Sequence, residues 1–372
     1  MAQTDLTQGS ILGNISRFSL PYMLSYFLQI LYGLADMFVI GQYCGVESTT
    51  AVANGAQIMH MFTVIIIGLA MGTTVRLARA IGAKDQKEAS KTSGNTFSLF
   101  AITAIATTAI LLLANKSIVN LIDTPTEAVK GTIDYLRICF IGIPFIVAYN
   151  IIASIFRGLG DSKSPMYFVI VACVANIALD YIFIGHFRLG PSGAALGTTL
   201  SQMISVIIAA IVIRRKSLLN ISGQDLRPER RTMGGILKIG VPVALQDGFI
   251  QVAFIAITAI ANGRGLNDAA AVGIVEKFIG LLFIVPSAML ATVSAMAAQN
   301  IGAKKRERAR KTMEYAIAIA VGFGTVAAVT LQFIPEYAVR IFTSDSSVIA
   351  LGGQYLKGYV WDCIFAGIHF CF

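Results

Sequence analysis

Five carboxylates of this chain fall inside long apolar runs: Asp36, Asp180, Asp247, Glu276 and Asp362. Lys277 is the basic residue placed likewise. An ionised group in hydrocarbon is costly unless paired or hydrated, so such positions are where ions, protons or charged solutes are handled. Asn176 precedes Asp180 by one helical turn and shares its helix face. Counting along the runs puts Asp36 and Asp180 about one and a half turns below the same membrane surface. Thr198 falls at that depth in the next run, and Tyr135 near the matching end of the run before. Two carboxylates, an amide, a hydroxyl and a phenol are hard oxygen ligands suited to a small cation or a proton. Two acids held close in low dielectric cannot both stay charged cheaply, so the pair is suited to loading a proton. The plain alternatives are hydrated structural acids for Asp36 and Asp180, interhelical bonding for Asn176, and ordinary span composition for Thr198 and Tyr135. Asp247, Glu276 and Lys277 are expected to line a second cavity, although Glu276 and Lys277 are adjacent and point in different directions.

Helices in a membrane must position these groups. The chain has 372 residues, 56% of them apolar and only 13% charged, with mean hydropathy +0.72. Soluble domains are roughly a quarter charged. Soluble enzymes, disordered chains and disulfide scaffolds are thereby excluded. Ten apolar segments are expected to span, at 16–41, 52–80, 95–115, 132–156, 164–187, 193–213, 234–262, 270–299, 312–334 and 349–372. They lack period-2 alternation, which favours helices over barrel strands. The expected fold is an all-α integral membrane protein.

The net charge of +9 reads as basic cytoplasmic loops, not as nucleic-acid binding. With the N-terminus in the cytoplasm, 21 of the 29 basic residues fall on the inner side. The five cysteines are scattered and the three histidines lie far apart, so neither disulfides nor a metal cluster are expected. No phosphate-loop, kinase, hydrolase or zinc motif appears, and no cofactor is expected.

An internal repeat runs through the chain. Ala80-Ile-Gly-Ala-Lys84 matches Asn300-Ile-Gly-Ala-Lys304, and Tyr135-Leu-Arg137 matches Tyr355-Leu-Lys357, both at an offset of 220. Pro21 matches Pro242 at 221. Six spans separate the copies, so the repeat is parallel, with its axis along the membrane normal. The expected organisation is an N-terminal lobe at 1–213 with six helices, a cytoplasmic linker at 214–233 forming a surface helix, and a C-terminal lobe at 234–372. By that arithmetic the second lobe stops in its tenth span, two helices short of twelve. Prolines 21, 144, 242 and 286 fall inside spans, and Pro21 is the expected bending point of the first helix.

These residues resemble the multidrug and toxic compound extrusion (MATE) family. The resemblance rests on Ser19-Leu-Pro21 followed by Gly33-Leu-Ala-Asp36, on Asn176-Ile-Ala-Leu-Asp180, on Gly193-Ala-Ala-Leu-Gly-Thr198, on the duplicated Ile-Gly-Ala-Lys loops and on Arg157-Gly-Leu-Gly-Asp161. It implies two six-helix lobes in a V around a central cavity. It also implies export of cationic, amphiphilic drugs and toxic organic compounds in exchange for H⁺ or Na⁺. Asp36, Asn176 and Asp180 match the family's first-lobe cation site, with Thr198 and Tyr135 as supporting hydroxyls. The expected partners are such small molecules and membrane lipids, and the expected protein is a monomeric, multi-pass, prokaryotic inner-membrane protein and not an enzyme. Two other readings are a lipid-linked precursor flippase of the same superfamily, for whose anionic cargo only Lys277 is a candidate, and an inactive truncated remnant.

Overall fold

The computed structural model describes residues 5–122, 124–216 and 222–371. Every regular element among them is helical. The first six long helices are α1 (Ile11–Tyr43), α2 (Val46–Gly82), α3 (Gln86–Leu121), α4 (Thr126–Gly158), α5 (Lys163–Asp180, extended by a π-turn over Tyr181–His186) and α6 (Pro191–Lys216). The remainder are α7 (Arg230–Arg264), α8 (Leu266–Leu282), α9 (Ile284–Gly302), α10 (Arg306–Phe333), α11 (Pro335–Arg340), α12 (Ser346–Tyr359) and α13 (Asp362–His369). Several starts are set by side-chain caps. Ser10 accepts from the Gly13 amide, Asp85 from Glu88, and Asp345 from Ser347 and Val348.

Nine helical stretches among the described residues are long and apolar enough to cross a membrane, against the ten expected. The segment at 349–372 breaks into α12 and α13 at Val360 and Trp361, where Cys363 and Ile364 make short i−3 bonds to Val360 and Trp361. Gly358 weakens the helix just before the break, and Asp362 takes the first-turn position that favours an acid. The segment at 270–299 is interrupted at Phe283. Pro286 has no N–H to donate to the Leu282 carbonyl, and its ring crowds that carbonyl.

The linker also departs from expectation. Arg214–Lys216 end α6 and Arg230–Met233 begin α7, while residues 222–227 form turns in place of a surface helix; residues 217–221 lie outside the described residues. Ser222 and Asp225 bond to each other locally, competing with helix formation. The turn docks on α3. Asn95 donates to the Asp225 carbonyl at 3.1 Å and accepts from the Glu229 amide at 2.7 Å, and Lys91 pairs with Glu229 at 2.7 Å. Lys91, and then the Thr232 hydroxyl, hold the Glu229 carboxyl below its usual value. A depressed carboxylate stabilises the fold above its unfolded pKa and loses that contribution as pH falls through the folded value. Amide protection at the start of α7, with exchange rates corrected for their intrinsic pH dependence, is therefore expected to fall as pH drops below about 4.3, and Glu229→Gln should show the lower protection already at neutral pH.

The repeat is visible in the backbone. Lys84 and Lys304 both take left-handed conformations, with φ of 57° and 61°. Each closes its helix with the same paired bonds: Lys84 to Ile81 and Asp85 to Ala80 in one copy, Lys304 to Ile301 and Lys305 to Asn300 in the other. The two helix ends pack together. A Cβ on Gly82 would lie 1.9 Å from the Gln299 carbonyl oxygen, and one on Gly302 would lie 2.0 Å from that of Arg79.

Nearby, α2 and α7 cross backbone to backbone. A Cβ on Gly68 would meet Ala244 Cα at 2.6 Å, one on Gly72 the Ile236 oxygen at 2.1 Å, and one on Gly240 the Leu69 oxygen at 2.3 Å. Gln299 donates to the Gly158 carbonyl at 3.0 Å. The N-terminal segment straps this end, since Lys305 and Arg308 donate to the carbonyls of Thr7, Gln8 and Gly9. Among the described residues, every hydrogen bond between α1–α6 with the N-terminal segment and α7–α13 lies at this basic-loop end.

Candidate cation site

Four helices bring the first-lobe candidates together. Asp36 comes from α1, Tyr135 from α4, Asn176 and Asp180 from α5, and Thr198 from α6. Asp180 is fully enclosed, Asn176 and Tyr135 nearly so, and Asp36 is 7% exposed. The Thr198 hydroxyl donates to Asp36 Oδ2 at 3.3 Å. Asp180 and Asn176 are the other polar neighbours of the Asp36 carboxyl, and Tyr135 faces both acids.

The cluster is rich in unsatisfied acceptors. Asp36 Oδ1, both Asp180 oxygens and the Asn176 amide oxygen are buried without a donor. Buried polar atoms are normally satisfied, so four orphaned oxygens in one place need a functional account. Two carboxylates, an amide oxygen and a hydroxyl could hold one proton or one small monovalent cation. Among the described residues, no three His, Cys, Asp or Glu side chains converge as a divalent metal site would require.

The local backbone explains the crowding. Asp180 is the last residue before the π-turn, a form of helix that is rare and concentrated at functional sites. Gly197 lets Asp180 lie flat against α6, because a Cβ there would sit 2.2 Å from Asp180 Oδ1. Gly55 does the same for Tyr135, whose ring carbon Cδ1 lies 2.2 Å from where a Cβ would be. Neither role is readable from the chain alone. Gly197→Ala is expected to push the Asp180 carboxylate out of the cluster and to lower the affinity of the cluster for a small cation by about 10- to 100-fold, a displaced-ligand effect. A cation-binding titration of the purified protein would check it: an unchanged half-saturation would mean that the carboxylate has room.

Two further residues belong to this region. Tyr32 stands beside Asp36 with Cys173 and Gln202 as neighbours. The spacing held the signal, since Tyr32 lies one turn before Asp36 and Gln202 one turn after Thr198.

The other candidates lie elsewhere. Asp247 on α7 is half-buried and faces Tyr22 and Tyr26 of α1. Arg157 stands over the Tyr22 ring at 5.7 Å with its Nε buried and unpaired. Glu276 accepts from Thr258 at 3.0 Å and neighbours Tyr355 and Tyr359. Lys277 lies toward His60 of α2 and makes no ion pair with Glu276 among the described residues. At Pro21, α1 runs on unbroken, and Ser25 donates to the Pro21 carbonyl at 2.8 Å.

Comparison with known proteins agrees with this architecture. The MatE family profile matches residues 21–182 and 242–372. The chain is 30% identical over 370 residues to the probable multidrug resistance protein YpnP of Bacillus subtilis, covering 100% of this chain and 83% of the relative. It is 24% identical to the multidrug export protein MepA of Staphylococcus aureus, covering 95% and 79%. Its fold superposes with a TM-score of 0.89 on a multidrug resistance MATE family transporter of the MOP superfamily in an outward-facing conformation, at 25% identity and covering 100% and 83% of the two chains.

Proposed function

This chain belongs to the MATE family of multidrug transporters, and on that premise we propose that it is an antiporter that exports cationic or amphiphilic organic compounds in exchange for H⁺ or Na⁺. Its relatives are named for multidrug resistance and multidrug export, and nine apolar helices among the described residues make it a multi-pass membrane protein. The observation that carries the antiport reading is the set of four unpartnered buried oxygens on Asp36, Asn176 and Asp180.

In this reading residues 1–213 and 234–372 are the two lobes, joined by the linker at 214–233. The N-terminus is cytoplasmic and the working unit is a monomer in the cytoplasmic membrane. Among the described residues the hydrogen bonds between the lobes lie at the basic-loop end, and in this reading the space between the lobes opens to the outside. A proton or Na⁺ entering there binds Asp36 and Asp180, with Asn176 and Thr198 completing the shell and Tyr135 closing it. α1 carries both Asp36 and, about three to four turns inward, Tyr26 and Tyr22, which face Asp247 and Arg157. Neutralising the acids draws α1 toward α5 and bends it at Pro21, so that the tyrosines leave the cavity wall and the drug is released. The lobes then rock to open the basic-loop end. Coupling requires that ion and drug favour different states; equal affinity for both would shift nothing.

The test is dye efflux in inverted vesicles with an imposed H⁺ or Na⁺ gradient. Accumulation driven by one gradient and not the other identifies the ion. Flux indifferent to both gradients would overturn the antiport reading while leaving the fold assignment intact.

A further inference from the structure

A second polar site lies at the opposite end of the molecule, in the seam where the lobes meet. A cavity of about 650 Å³ opens there between α2, the start of α3, α7 and the end of α9. That volume is within the range of roughly 300–1,000 Å³ typical of small-molecule sites. Its charged lining is Arg76, Arg79, Asp85, Glu88 and Lys238, and Ala80, Ala83 and Ile239 supply an apolar wall.

The charges do not balance. Arg76 is spoken for: its Nη2 pairs with Glu88 at 2.5 Å, and its Nη1 reaches across the seam to the Arg231 and Thr232 carbonyls at 3.4 and 3.3 Å. Gly235 makes room for it, since a Cβ there would fall on the guanidinium. Asp85 is engaged as the cap of α3, accepting from the Glu88 amide at 2.9 Å. Arg79 and Lys238 have no carboxylate within ion-pair distance among the described residues. They come from different lobes and lack ion-pair partners, so closing the seam brings two cations to a cavity whose charged lining sums to +1, the Asp85 carboxylate included. Alone they would repel. An anion between them would turn that repulsion into a clamp.

We propose that this cavity binds the phosphate headgroup of an anionic phospholipid, and that the bound headgroup holds the lobes shut at this end. The cavity sits at the ends of the apolar spans beside the basic loops, the level at which headgroup phosphates lie and where basic pockets between membrane helices bind them. The apolar wall suits the glycerol and first acyl carbons, which a free phosphate ion would not use. Because both lobes build the site, the headgroup binds the closed seam better than the open one and shifts the population toward it. The inference does not rest on the antiport reading, and its test measures no transport.

The experiment is thermal unfolding of the full chain in neutral detergent, titrated with short-chain phosphatidylglycerol, short-chain phosphatidylcholine and inorganic phosphate. Phosphatidylglycerol should raise the melting temperature and phosphatidylcholine should not. The double variant Arg79→Gln/Lys238→Gln should need at least about tenfold more phosphatidylglycerol for the same shift, having lost two charge-assisted contacts. Lys163→Gln/Arg306→Gln, with the same loss of net charge away from the cavity, should behave as the wild type, and so should Arg79→Lys. A shift fully retained in the double variant, or equally lost in the charge-matched control, overturns the site. An equal shift from inorganic phosphate at the same concentration overturns the lipid as its source.

Discussion

Asp180→Asn is expected to reduce gradient-driven efflux to the passive leak while the protein inserts and folds as before. The replacement is nearly isosteric, and both oxygens of Asp180 are buried without partners. Removing a carboxylate that is enclosed and unpaired relieves a desolvation cost, so the melting temperature should hold or rise. What is lost, on the proposed mechanism, is the group that binds the ion. Asp36→Asn should do the same, because the two acids share one shell with Asn176 and Thr198. The double variant should be no worse than either single one, since groups that act as a unit are strongly non-additive. The measurement is dye accumulation in inverted vesicles at matched protein levels. Wild-type flux in both single variants would remove the first-lobe acids from the mechanism.

The second large effect is expected at the seam. Gly72→Val forces a branched side chain into a place where even a Cβ would lie 2.1 Å from the Ile236 oxygen and 3.0 Å from the Gly240 nitrogen. Those neighbours are backbone atoms and cannot rotate away. Overpacking of this kind costs about 1–3 kcal/mol, and here the cost falls only on the state with the lobes together. A bias of that size depopulates the closed seam by roughly 5- to 150-fold. Spin labels at positions 87 and 231, in a cysteine-free background, should report a longer and broader distance distribution, and efflux should slow because one of two required states is penalised. Gly322→Ala is the matching control: nothing lies within 4 Å of its added methyl, and a helix-interior Gly→Ala change should be neutral or stabilising by up to about 1 kcal/mol. Unchanged distances in Gly72→Val would mean that the α2–α7 crossing does not limit the closed state.

Long apolar runs and isolated acids were legible in the chain because hydrocarbon is a severe solvent. Asp36, Asn176 and Asp180 stand out by depth and spacing alone, and their meeting follows from helices of fixed rise. Hydropathy is blind to breaks that keep the composition apolar. Hence the run at 349–372 is two short helices, and the run at 270–299 is divided ahead of Pro286. The linker failed for a different reason: basic charge suggested a surface helix, whereas Ser222, Asp225 and Asn95 satisfy the backbone in turns. The closest contacts were missed because glycine has no side chain to announce them. Gly68 and Gly72 do have the four-residue spacing of tightly crossing membrane helices, a signal that lies in the chain and points to the α2–α7 crossing.

The meeting of the two duplicated loops has a consequence of its own. Gly82 presses on the carbonyl of Gln299, and Gly302 presses on that of Arg79. Adding 220 to Gly82 gives Gly302 and subtracting 220 from Gln299 gives Arg79, so each copy offers the other the same surface and receives it back. That is the isologous geometry of a two-fold homodimer, here enclosed in a single polypeptide. The closing surface is therefore self-complementary, and what one half of the chain contributes to it the other half contributes again. Gly82→Ala and Gly302→Ala should accordingly open the molecule by similar amounts, as two doors on one hinge pin.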